Sequence, residues 1–105
     1  MKLEGTLEIM SDIRILIVED DPFIAMDLES AVSEQLGDRA ELIVVESLSQ
    51  ARAATDKPVS CALLDIDVVG GKTFGIAASL RAKGTPLAFV SGSAPSEVPA
   101  ELRDV

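Results

Sequence analysis

Six residues hold most of the chemical capacity of this chain. Glu19, Asp20 and Asp21 form an unbroken acidic triplet, Asp65 and Asp67 form a second acidic pair, and Ser91 supplies a hydroxyl just before Gly92. Each group directly follows an apolar run, at residues 13–18, 59–64 and 86–90. Carboxylates brought within several Å raise one another's pKa unless a cation intervenes. Mg²⁺ is the natural cation, because it takes hard oxygen ligands in octahedral geometry and keeps several waters. An Asp beside such a metal can attack phosphorus and become an aspartyl phosphate. Ser91 could then hydrogen-bond a phosphoryl oxygen. Taken singly, an acid at a strand end more often caps a helix or faces water, and Asp21, next to Pro22, reads as an N-cap. Cys61 reads as a core residue and Met26 as an ordinary helix residue. The signal is the conjunction of three acids and a hydroxyl at one sheet edge.

Composition removes most other chemistries. The 105 residues contain no His, which excludes Ser–His and Cys–His pairs and His-ligated metal. One Cys allows neither an internal disulfide nor a zinc cluster. Without Trp or Tyr, and with three Phe, base-stacking platforms are poor. The net charge of -9 opposes nucleic-acid phosphates and favours metal cations and basic partner surfaces, although much of it serves solubility. With 48% hydrophobic residues the chain can build a core. No apolar run approaches the roughly 20 residues that span a bilayer. The first residues lack the apolar block of a signal peptide. The expectation is a soluble, cytoplasmic protein with no membrane contact.

The elements that must position these residues alternate strand and helix. The β-branched run 13–18 reads as a buried parallel strand. A helix starts at Pro22, carries Ile24, Leu28, Ala31 and Val32 at helical spacing, and stops at Gly37. A second strand covers 42–45. Ser47 with Gln50 resembles a capping box opening a helix to about Thr55. A third strand covers 59–64, Gly70-Gly71 reads as a turn, and a helix covers about 73–83 with Phe74, Ala77, Ala78 and Leu80 as its apolar positions. A fourth strand covers 86–90. Pro95 and Pro99 leave room for only a short helix near 100–103. Residues 1–11 show no period and read as an N-terminal arm or a remnant of expression, leaving 12–105 as a single domain. The pattern demands a parallel sheet with helices on both faces. Ligands in such a sheet bind beyond the carboxyl ends of the strands. A doubly wound, flavodoxin-like order of 2-1-3-4 makes strands 1 and 3 neighbours. Glu19, Asp20 and Asp65 should then converge, with Glu46 and Ser47 further out.

The segments Arg14-Ile15-Leu16-Ile17-Val18-Glu19-Asp20-Asp21-Pro22, Cys61-Ala62-Leu63-Leu64-Asp65-Ile66-Asp67 and Pro86-Leu87-Ala88-Phe89-Val90-Ser91-Gly92 resemble the receiver domain of response regulators, including stand-alone receivers. The resemblance implies Asp65 as nucleophile and phosphoacceptor in a two-component phosphorelay. It implies direct Mg²⁺ ligation by Asp20, ligation directly or through water by Glu19, and a backbone carbonyl ligand from Asp67. Ser91 would be the switch hydroxyl. The donor would be a phosphohistidine on a sensor histidine kinase or histidine phosphotransferase, with a downstream protein partner. Catalysis would be limited to self-phosphorylation and self-dephosphorylation, so the chain is not expected to be a turnover enzyme.

Three departures stand out. Val69 occupies the usual Pro position, Ser91 replaces the commoner Thr, and the sequence stops at Val105 before the expected fifth strand with its Lys-Pro. Neither Lys72 nor Lys83 takes the place of that Lys. The domain therefore reads as incomplete at its C-terminal side, with the fourth strand as an edge open to dimerisation or domain swapping. Two alternatives remain. One is a receiver-like interaction module that is not phosphorylated. The other is a Mg²⁺-dependent phosphatase, because Asp65-Ile66-Asp67 also resembles the Asp-x-Asp strand of haloacid-dehalogenase-like enzymes.

Overall fold

A computed structural model describes residues 13–90. Four parallel strands form its sheet: β1 (Ile13–Val18), β2 (Ala40–Val45), β3 (Cys61–Leu64) and, after two short strands, β6 (Leu87–Phe89). Their spatial order is β2-β1-β3-β6, the flavodoxin-like 2-1-3-4 order that was expected. The expected N-terminal arm, Ser91 and the short C-terminal helix lie outside the described residues.

β1 sits in the middle because its side chains are apolar on both faces: Ile15, Leu16, Ile17 and Val18 are all buried. Leu16 and Val18 face a core with Ala62, Leu64, Ile66, Val68, Ile76, Ala77 and Leu80. Helices α2 (Leu48–Ala54) and α3 (Phe74–Ala82) close that side through Ala51, Ala54, Ile76, Ala77 and Leu80. Phe74 meets Phe89 edge to face, with ring centroids 6.0 Å apart. Helix α1 (Pro22–Leu36) begins where Asp21 Oδ1 accepts from the N–H groups of Phe23 and Ile24, and ends at Gly37 with φ 57°. The helix turns Ala25, Leu28, Val32 and Leu36 inward. Leu28 and Val32 were expected there, whereas the expected Ile24 is 42% exposed and Ala31 is also exposed. Consecutive residues lie about 100° apart around a helix, so taking Ile24 in place of Ala25 tilts the inferred stripe to one side.

Two boundaries shift for identifiable reasons. β2 starts at Ala40, directly after a 3₁₀ turn at Gly37–Arg39. β3 starts at Cys61, two residues later than the apolar run. Pro58 has no N–H to give a ladder, and the Ser60 hydroxyl accepts from the Arg14 N–H instead of the backbone doing so.

The Gly70-Gly71 turn is more than a turn. β4 (Asp67–Val68) and β5 (Gly71–Lys72) pair antiparallel across it. Gly70 at φ 101° and Gly71 at φ 133° adopt conformations that L side chains rarely reach. The hairpin tip then docks on the start of α2: Leu48 N donates to Val69 O at 2.9 Å, and Val69 N donates to Glu46 O at 3.3 Å.

Candidate metal centre

The registers of β1 and β3 bring the acids together. Val18 pairs with Leu64, so the next residues of the two strands, Glu19 and Asp65, leave the sheet side by side. Asp65 N donates to Val18 O at 2.8 Å and Glu19 N donates to Val45 O at 2.9 Å, which ties both backbones to the sheet. Carboxylate oxygens of Glu19, Asp20 and Asp65 all lie within 4.8 Å of one another. Glu19 is buried, Asp65 half-buried and Asp20 exposed, so the cluster opens to solvent on one side.

Glu19 bears the electrostatic cost. Only 3% of it is exposed. Its Oε2 accepts from Asp21 N at 3.1 Å, whereas its Oε1 is buried with no hydrogen-bond partner. Burial pushes its carboxyl up to about 7; the nearby Asp65 and Asp20 push the same way, and the Asp21 N–H pulls against them. An acceptor-only atom buried beside two further carboxylates lacks either a proton or a cation. Three hard oxygen donors at this spacing, one of them orphaned, fit a Mg²⁺ ion.

The other expected residues are distributed differently. Asp67 is exposed on β4, and its carboxylate pairs with Lys72 Nζ at 2.9 Å rather than joining the three gathered acids. Ser91 lies outside the described residues. Glu46, expected further out, shares with Glu19 and Asp20 an open cleft of about 380 Å³ that also involves Met26, Val44 and Gln50. Gln50 reaches back from α2 to accept from Glu46 N at 2.9 Å, so the expected capping box extends one residue upstream to the cleft wall.

One residue with a direct bond to the site was not singled out by sequence reasoning. Thr73 is fully buried, and its hydroxyl donates to the backbone carbonyl of Asp65 at 2.6 Å. A Thr at the start of a helix reads as a cap, and no local pattern points its hydroxyl eight residues back.

No family model and no curated protein matches this sequence. Solved structures do match. The fold is similar to the BeF3-activated conformation of SdrG from Pseudomonas melonis Fr1, with 35% identity, 87% of this chain and 77% of that chain covered, and a TM-score of 0.65. It is similar to the response regulator TrrA from Thermotoga maritima in complex with Mg(2+)-BeF, with 24% identity, coverage of 78% and 71%, and a TM-score of 0.67; that likeness speaks for the fold alone. It is also similar to the response regulator PhyR from Brucella abortus, with 28% identity and a TM-score of 0.60, over 82% of this chain and 37% of that one.

Proposed function

Because this chain belongs to the receiver-domain family of response regulators, we propose that it accepts a phosphoryl group on Asp65 in a two-component phosphorelay, with Mg²⁺ held by Glu19, Asp20 and Asp65. The observation that carries this reading is the trio of carboxylates within 4.8 Å, one of them with a buried, unpartnered oxygen. Asp67 would add its backbone carbonyl to the ligand set. When bound, Mg²⁺ supplies positive charge that offsets the carboxylates and the phosphoryl oxygens.

Asp65 is the nucleophile. It sits at the carboxyl end of β3 with its N–H bonded to β1, half-buried and open toward the solvent side of the cluster. A carboxylate oxygen forms the new bond to phosphorus as the bond from phosphorus to the donor imidazole nitrogen breaks, and the product is an acyl phosphate. The donor is a phosphohistidine on a sensor histidine kinase or a histidine phosphotransferase. Ser91 is the hydroxyl assigned to the phosphoryl group, and a downstream protein reads the phosphorylated state. The chemistry is confined to the chain's own phosphorylation and dephosphorylation, in the cytoplasm. β6 is an edge of the described sheet, and pairing or swapping with a second copy there belongs to the same proposal. A purely monomeric sedimentation profile at high concentration would remove that part.

Incubation with acetyl phosphate and Mg²⁺, followed by intact-mass measurement, tests the central reading. An adduct of one phosphoryl group is expected, absent without Mg²⁺ and absent in Asp65→Asn. Catalytic turnover of a phosphate monoester such as p-nitrophenyl phosphate is not expected; its appearance would turn the assignment toward a phosphatase.

A further inference from the structure

Thr73 is the first residue of the segment leading into α3, in the N-cap position, yet its side chain caps nothing. At that position a Thr hydroxyl ordinarily accepts from the N–H groups of the helix's first turn. Here it points the other way. Its Oγ1 donates to Asp65 O at 2.6 Å and lies 3.4 Å from Ile66 O, while its backbone N–H donates to Ile66 O at 2.9 Å. The residue is 0% exposed, so no water can replace the hydroxyl as donor without rearrangement. The Asp65 peptide is consequently gripped from two sides. Its N–H is bonded to β1 through Val18 O at 2.8 Å, and its C=O is bonded to α3 through Thr73.

We propose that Thr73 is a positioning residue for Asp65, its buried hydroxyl fixing the backbone from which the nucleophilic carboxylate reaches Glu19 and Asp20. The proposal rests on the reading of Asp65 given above. The direction of the cap is its main support, because the first turn of α3 forgoes a side-chain acceptor so that the Asp65 carbonyl can have a donor. Without the hydroxyl, that carbonyl loses its short bond, the loop after β3 can rotate, and the carboxylate drifts relative to its two acidic neighbours. Displacements of about 1 Å at a reacting centre are enough to slow chemistry strongly.

Two variants separate positioning from packing. Thr73→Val keeps the shape and removes the hydroxyl, while Thr73→Ser keeps the hydroxyl and removes a buried methyl. Mg²⁺ affinity is read by NMR titration, and the rate of adduct formation from acetyl phosphate is read at saturating Mg²⁺. Thr73→Val is expected to lose roughly fivefold to tenfold in both, the scale of one buried hydrogen bond. Thr73→Ser should stay within about twofold of the parent even though its lost methyl lowers its melting temperature. Parental values in Thr73→Val, or losses that follow melting temperature in both variants, would overturn the proposal. If Thr73→Val fails to fold, the comparison of Thr73→Ser with Thr73→Ala supplies the same contrast. A parent that forms no adduct removes the phosphoacceptor reading, while the Mg²⁺ affinities still decide the role of Thr73. A parent that also fails to bind Mg²⁺ overturns both.

Discussion

Burial and two neighbouring carboxylates act on Glu19 in the same direction, and its neutral isostere makes the conflict measurable. With 3% exposure and an unpartnered Oε1, the ionised side chain destabilises the metal-free fold. Glu19→Gln replaces one orphaned acceptor by an amide that can donate toward Asp65. The expected outcome at pH 8 without Mg²⁺ is a gain of roughly 1–3 kcal/mol in denaturant unfolding. The same change removes one of three charged ligands and should weaken Mg²⁺ binding at least about tenfold. A variant less stable than the parent at pH 8 would show that the carboxylate is satisfied in solution by something other than a cation. The gathering of Glu19, Asp20 and Asp65 was legible in the sequence because all three lie within two residues of the ends of apolar runs that become adjacent strands. The role of Thr73 was not legible, since it depends on a hydrogen bond spanning eight residues whose direction no pattern encodes.

At the scale of elements, the hairpin β4–β5 links the loop after Asp65 to the start of α2. Gly70 is the tightest point: at φ 101°, a Cβ there would lie 3.3 Å from the Leu48 Cβ. Gly70→Ala therefore combines backbone strain with crowding, and should cost roughly 1–2 kcal/mol in stability. Because Leu48 N and Glu46 O both bond to Val69, the same change should alter the amide resonances of residues 46–48 as well as those of the hairpin. A stability loss confined to the hairpin resonances would mean that the docking seen here is not maintained in solution. The sequence marked Gly70-Gly71 correctly as a reversal. It could not reveal the ladder, because strands of two residues are too short to carry a period. The parallel sheet followed from the strand–helix alternation, which operates over long segments, whereas its 2-1-3-4 order came from the flavodoxin-like resemblance, since alternation alone permits other orders. The inward face of α1 was read correctly at Leu28 and Val32 but not at Ile24 and Ala31, its centre depending on single residues.

For the molecule as a whole, proton, metal and folding equilibria are linked through this one cluster. Glu19 has a folded-state pKa of about 7 against an ordinary value of 4.5, so the folded protein binds more protons than the unfolded chain between those limits. Stability must then fall as pH rises through that window, and stay low above it. The gap on Glu19 corresponds to roughly 3 kcal/mol at most. The chain's net charge of -9 adds self-repulsion of the same sign. Mg²⁺ should reverse the trend, since it competes with the proton for the same oxygens: its affinity should rise with pH up to about 7 and level off beyond. Thermal unfolding at pH 5 and pH 8, with and without several millimolar MgCl₂, reads all of this at once. The metal-free protein should melt higher at pH 5. Added Mg²⁺ should raise the melting temperature at pH 8 and hardly change it at pH 5. Equal stabilisation by Mg²⁺ at both pH values would place the ion away from Glu19. The same measurement on Glu19→Gln, with the pH dependence flattened, would assign the linkage to that side chain rather than to the general excess of acid.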